Sequence, residues 1–143
     1  MNIDSIRNGL VIDHIRAGGG MQIYRMLGLD ALDCGVALLR NVPSAKMGRK
    51  DIIKIDADME IDLDVLGYVS PNITVNRIKN GELVEKKHIA LPDRLTDIIL
   101  CRNPRCITTT EQGIHHIFRL VDREKRVYRC LYCDARATEP VQK

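Results

Sequence analysis

Four cysteines in the last third of this chain limit its possible folds more than any other feature. Cys101 and Cys106 are spaced C-x4-C, Cys130 and Cys133 are spaced C-x2-C, and 23 residues separate the pairs. Four thiolates satisfy a tetrahedral zinc ion completely, so no position stays open for water or substrate and the site is structural rather than catalytic. The expected cofactor is one structural Zn2+ per chain, with Cys101, Cys106, Cys130 and Cys133 as ligands. Residues 93–143 are too few to bury a self-sufficient core. Metal binding of roughly 10–16 kcal/mol, the range of zinc-finger peptides, would feed directly into folding them. The expected module is all-β, with metal-gripping turns at the ends of short strands. These strands are expected at residues 98–100, 114–120 and 126–131, with a solvated turn over Asp122, Arg123, Glu124 and Lys125.

Two other uses of the cysteines compete with metal. The N-terminal MNIDSIRNG lacks the apolar stretch of a signal peptide. A cytoplasmic, reducing setting is therefore expected, and there paired cysteines serve as metal ligands more often than as disulfides. Thiol redox chemistry at Cys130-x-x-Cys133 would call for a βαβ setting, which the sequence does not offer. The odd thiol, Cys34, lies in an apolar run and reads as a buried small hydrophobe. His115 and His116 are superfluous as ligands beside four cysteines and are expected to face solvent or a partner.

Charge is informative once divided. Residues 1–92 carry 12 basic and 12 acidic side chains, and residues 93–143 carry 10 and 7. Four thiolates and one zinc ion would bring the second segment to about +1, a weak footprint for nucleic acid, which selects strong basic patches. Aromatic residues make up only 3% of the chain, too few for a base-stacking surface. No apolar run reaches the ~18 residues of a membrane helix. Neither nucleic acid nor membrane is an expected partner.

The first ninety residues alternate in character. Residues 10–15 read as a buried strand. Met21, Tyr24 and Leu27 recur at helical spacing, and Gly28 is placed as a C-cap. Residues 34–42 read as a strand ending at Pro43, residues 44–50 as a polar loop, and residues 51–55 as the next strand. Apolar and acidic residues then alternate from Ile55 to Asp64. Asp62 is a good N-cap, and the spacing of Ile61, Val65, Leu66 and Val69 predicts a short helix over residues 63–69, stopped by Pro71. Residues 73–78 and 82–89 form a hairpin through Asn80-Gly81, a strong type I′ signal. Strand, helix, strand, strand, helix, strand, with one added hairpin strand, is the ferredoxin-like split βαβ order. The expected fold class is α+β: a ferredoxin-like domain at residues 1–92, with helices on one face of an antiparallel sheet, and a small all-β zinc domain at residues 93–143.

Enzyme signatures are scarce. Gly48-Arg49-Lys50 does not complete a P-loop, and Gly18-Gly19-Gly20 does not complete G-x-G-x-x-G. Asp13 and His14 are adjacent on a strand, which directs them to opposite faces. Lys50 and Lys54 share a strand face with Ile52, while Ile53 and Ile55 take the other. Such a face could meet phosphates or simply solvent, and the same holds for Lys86 and Lys87.

Several segments nevertheless match a known family in order and spacing. They are Gly9-Leu10-Val11-Ile12-Asp13-His14-Ile15, Pro43-Ser44-Ala45-Lys46-Met47-Gly48-Arg49-Lys50-Asp51, Thr74-Val75-Asn76-Arg77-Ile78, Leu91-Pro92-Asp93-Arg94 and the four-cysteine set. Through them the chain resembles the regulatory chain of aspartate carbamoyltransferase over nearly its whole length. The resemblance implies a non-catalytic allosteric subunit acting in pyrimidine biosynthesis. Its first domain would dimerise with a second regulatory chain and bind CTP and ATP, with UTP as a further candidate effector. Its zinc domain would contact separate catalytic chains. Carried over position by position, the resemblance assigns nucleotide contacts to Val11, Asp13, His14, Lys50, Lys54, Asn76, Ile78, Leu83 and Lys86. Gly81 stands where some relatives carry a Tyr, Glu85 replaces a glycine, and Arg16 replaces a Pro. On this resemblance the chain is expected to start a few residues later than some relatives. A zinc-ribbon nucleic-acid binder and a thiol oxidoreductase are the rival readings of the cysteines. Tight, salt-dependent nucleic-acid binding would mark the first, and metal-free cysteines the second.

Overall fold

The computed structural model describes residues 6–137. The expected domain ends, residues 1–5 and 138–143, lie outside the described residues. The chain divides into two compact units, Met1–Ala90 and Leu91–Lys143.

The first unit is a five-stranded antiparallel sheet in the order β2-β3-β1-β4-β5. Its strands are β1 (Gly9–Arg16), β2 (Val36–Ser44), β3 (Gly48–Ile55), β4 (Thr74–Lys79) and β5 (Glu82–His88), with helices α1 (Gly19–Met26) and α2 (Leu63–Val69) in the crossovers. This is the split βαβ arrangement extended by one edge strand. Both helices pack on the same sheet face. Ile23 of α1 and Leu66 and Val69 of α2 close over Leu10, Ile12, Ile15, Ile53, Ile55 and Val75. The core is aliphatic, and seven of those sheet and helix side chains, Leu10, Ile12, Ile15, Ile23, Ile53, Ile55 and Leu66, have no solvent exposure at all.

Local chemistry sets the element ends. Asp62 caps α2 by accepting the Asp64 N–H at 3.0 Å. Asn80 and Gly81 both take positive φ (53° and 80°), the type I′ geometry that fits the twist of a hairpin. The alternating stretch after Ile55 adds no strand to the sheet. Ala57, Met59, Ile61 and Leu63 pack against the core while Asp56, Asp58, Glu60 and Asp62 face water. Arg77 pairs with Asp58 and Glu60, and Lys79 pairs with Asp58. The polar loop expected over residues 44–50 shrinks to a turn at residues 45–47, and β2 runs through Pro43. A proline is tolerated there because β2 is an edge strand with one side free of ladder bonds. Cys34 is half-buried against the core rather than enclosed by it.

The second unit holds a three-stranded antiparallel sheet, β6 (Arg94–Thr96), β7 (Ile117–Asp122) and β8 (Val127–Cys130). Its core is Leu95, Ile99, Phe118 and Tyr128 together with three of the cysteines. The expected strand at residues 98–100 lies earlier, at β6. The cause is Asp97, which turns the chain at φ 58° and accepts the His116 N–H at 2.9 Å. A single helical turn, α3 (Ile107–Thr110), follows the first cysteine loop. Three threonines argue against helix by propensity. Here the Thr109 hydroxyl donates to the Asn103 and Cys106 carbonyls at 2.7 and 2.8 Å and holds the turn. Among the described residues, no helix is long and apolar enough to cross a membrane.

Candidate binding face and metal centre

The helices cover one face of the five-stranded sheet and leave the other open. Strand register then decides which side chains meet on the open face. Lys54, Val11, Asn76 and Lys86 are consecutive partners across β3, β1, β4 and β5. At about 4.8 Å per strand, this row spans about 14 Å. On one side of it lie Gly9, Ile78 and Leu83, again register partners. On the other side lie Asp13, Thr74 and His88. Lys50 and Ile52 share this face with Lys54, while Asp51, Ile53 and Ile55 point into the core. Thus Val11, Asp13, Lys50, Lys54, Asn76, Ile78, Leu83 and Lys86 gather on one surface from four strands.

Two features of that surface bear on ligands. The Asn76 Oδ1 is buried and has no hydrogen-bond partner, although native structures pair nearly all buried polar atoms. Leu83 is 58% exposed, an apolar side chain standing beside that row.

The ninth position, His14, is placed by a bulge. The β1 register shifts between Ile12 and Ile15, and His14 sits at φ 60°. Simple alternation, which sends Asp13 and His14 to opposite faces, therefore fails here. Such an extra residue re-aims a strand's side chains. Asp13 Oδ1 accepts the His14 N–H and pairs with Lys50 Nζ at 3.0 Å, and His14 Nδ1 lies 3.0 Å from Thr74 Oγ1. Burial pushes the Asp13 carboxyl up, but the Lys50 pair and the His14 N–H outweigh it and leave the group below its usual value. A second bulge on β2, between Leu39 and Val42, flanks the same stretch of β3.

Asp51 was not singled out by sequence, although strict alternation beside Lys50 directs it inward. Its carboxylate is wholly buried. Oδ2 accepts the Gly18 and Gly20 N–H groups at 3.1 and 2.9 Å, and Oδ1 accepts the Asn41 N–H at 2.8 Å. One carboxylate thus ties the start of α1 to the β2 bulge. Gly20 is required by this approach, because a Cβ there would meet Asp51 Oδ2 at 2.9 Å.

In the second unit the four sulfurs converge. Cys101, Cys106, Cys130 and Cys133 offer ligand atoms that all lie within 4.8 Å of one another. Cys101 and Cys133 sulfurs are 3.6 Å apart, and those of Cys106 and Cys130 are 3.7 Å apart. A tetrahedral thiolate site with bonds of about 2.3 Å has edges of about 3.8 Å, so the residues fit such an ion. The Thr108 hydroxyl donates to Cys106 Sγ at 3.1 Å. His116, set aside by sequence, lies beside the centre: its Nδ1 accepts the Cys101 N–H at 2.9 Å. No sequence signal marks that contact, which joins residues 15 positions apart.

Without metal, burial and hydrogen bonding move three of the thiols in different directions. Burial pushes Cys101 up to about 12, and burial also raises Cys130. Cys133 also feels desolvation, yet hydrogen bonds from Asn103, the Ala135 backbone and the neighbouring thiols bring it down to about 7. Metal capture must therefore displace protons from Cys101 and Cys130 at neutral pH. Affinity should rise with pH, by about tenfold per pH unit for each displaced proton. The slope should steepen below pH 7, where Cys133 also carries a proton in the metal-free chain. Competition with a chelator of known affinity across pH 6–8 checks this, and pH-independent affinity would contradict it.

Comparison with known proteins bears on both units. The family model described as aspartate carbamoyltransferase regulatory chain, allosteric domain, matches residues 1–90. The model described as aspartate carbamoyltransferase regulatory chain, metal binding domain, matches residues 93–141. The chain is 51% identical over 134 residues to the aspartate carbamoyltransferase regulatory chain of Clostridium botulinum (strain Hall), covering 94% of this chain and 92% of that one. It is 49% identical over 136 residues to the Clostridium tetani protein of the same name, covering 94% of each. It is 46% identical over 137 residues to the Bifidobacterium longum protein of that name, covering 96% of this chain and 99% of that one.

Proposed function

This chain belongs to the aspartate carbamoyltransferase regulatory chain family, whose members are non-catalytic, and from that premise we propose that it carries a nucleotide signal to a catalytic chain. Nucleoside triphosphates, CTP and ATP with UTP as a further candidate, bind the open sheet face of the first unit. The second unit, held by zinc, grips the catalytic chain. The first unit also pairs with a second regulatory chain. The assembly works in the cytoplasm and controls carbamoyl transfer to aspartate in pyrimidine synthesis.

The observation that carries the reading is the cross-strand row Lys54, Val11, Asn76 and Lys86, with its partnerless Asn76 Oδ1. A triphosphate needs cations, which Lys86 and Lys50 supply. A base or sugar supplies donors, which a buried acceptor without a partner favours. Ile78 and Leu83 offer apolar contact. Asp13 holds Lys50 at the phosphate side through its ion pair. For the second unit, Leu100, Ile107, Leu131 and Tyr132 flank the cysteines and are 60%, 47%, 37% and 47% exposed. Exposed apolar side chains concentrated beside one rigid centre suit a protein partner. Zinc is favoured by four thiolates at tetrahedral spacing, and it contributes structure there rather than chemistry.

The test is titration calorimetry with CTP and ATP. Lys86→Ala should weaken triphosphate affinity by about tenfold or more, the loss of one charge-assisted contact. Unchanged affinity would remove Lys86 and the row it ends from the site.

A further inference from the structure

The two cysteine loops arise at distant places in the second unit, yet one two-residue segment touches both. His116 Nδ1 accepts the N–H of Cys101, the first residue of the first loop, at 2.9 Å. Ile117, its neighbour at the start of β7, accepts the Leu131 N–H through its carbonyl at 2.8 Å, and Leu131 lies between Cys130 and Cys133. The segment is itself anchored. Asp97 Oδ1 accepts the His116 N–H at 2.9 Å, and the Asp97 N–H returns to the His116 carbonyl at 2.7 Å.

We propose that His116 and Ile117 form a strut that sets the spacing of the two cysteine loops, with the His116 ring as the positioning residue for metal retention. The inference rests on the reading of the four cysteines as a metal centre. His116 is not a ligand. It acts through the Cys101 backbone, whose N–H it orients. Cys101 is 5% exposed, so water is a poor substitute for the ring nitrogen. With that N–H unpaired, the Cys101 peptide is free to rotate, and its sulfur leaves the tetrahedron more often. Outer contacts of this kind typically change metal affinity by about 10–100-fold when removed. The Ile117 contribution is made by its carbonyl and survives side-chain substitution, so the testable half of the strut is the ring.

The geometry also predicts which replacement restores function. The Asn side-chain oxygen falls near the position of histidine Nδ1, whereas the Gln oxygen falls nearer Nε2. The full chain is loaded with zinc, and metal release to an excess of chromophoric chelator is timed. His116→Ala should release zinc about tenfold faster or more. His116→Asn should return the rate to within about threefold of the unsubstituted chain, and His116→Gln should not. Lys125→Ala, which truncates an exposed side chain in the turn between β7 and β8, should leave the rate unchanged.

Equal release from His116→Ala and the unsubstituted chain would overturn the inference. So would equally fast release from the Asn and Ala variants, since ring bulk rather than the acceptor would then matter. If the Ala variant does not fold, the comparison of Asn with Gln decides alone, and equal rates reject the proposal. An unsubstituted chain that takes up no zinc would reject the metal centre itself, a failure distinct from an unaltered release rate.

Discussion

Cys130→Ser should yield a chain without bound metal, with an unfolded second unit and a first unit that still melts cooperatively. The sulfur it removes is wholly buried. It ends β8, opposite Phe118, and its own N–H donates to the Ala135 carbonyl. Three thiolates and a hydroxyl hold zinc poorly, and among the described residues the second unit has few large buried apolar side chains besides Leu95, Ile99, Phe118 and Tyr128. A structural zinc ion contributes roughly 10–16 kcal/mol in small peptides, more than so small a core supplies alone. Metal content by mass spectrometry and differential scanning calorimetry read the two effects. Sedimentation with the catalytic chain reads a third, the loss of assembly. One metal ion per chain together with an intact complex would contradict the role assigned to the centre.

Asp51→Ala should destabilise the first unit by about 3 kcal/mol or more, one orphaned donor contributing about 1–3 kcal/mol. Three backbone N–H groups, those of Gly18, Gly20 and Asn41, lose their acceptor at once. The Gly20 bond is buried, so water cannot replace it there. Asp51→Asn keeps one oxygen but turns an amide toward donors, so it should recover only part of the loss. Urea unfolding measures the change through its midpoint, with the slope unaltered. A shift worth less than about 1 kcal/mol would show that the three bonds contribute little net stability.

The difference between these two sites reflects what a sequence can display. Cysteine spacing is local, and C-x4-C and C-x2-C announce a metal centre without any fold. The Asp62 cap, the Asn80-Gly81 turn and the alternation in β3 are likewise written within a few residues. The split βαβ order follows from those pieces. Bulges do not, since a register shift in β1 or β2 is defined only against β3. His14 and Asn41 both sit at positive φ near those shifts, and neither residue type forces it. The α3 turn was hidden because its threonines disfavour helix in isolation and here bond the preceding loop. His116 was hidden because its partner is a backbone N–H from another loop. For the open face, the resemblance supplied the residue names, while register supplied the row. No pattern in one strand reveals that Lys54, Val11, Asn76 and Lys86 stand side by side.

The proposed coupling is a linkage between nucleotide and catalytic chain, with typical magnitudes of about 1–3 kcal/mol, or roughly 5–150-fold in affinity. Its most direct measurement is the aspartate saturation curve of the complex assembled from this chain and the catalytic chain, recorded with and without CTP or ATP. The curve should move along the aspartate axis with at least one of them, and Lys86→Ala should require more nucleotide for the same displacement. Superimposed curves at saturating concentrations of both nucleotides would contradict the assignment of this chain as the effector-sensing subunit.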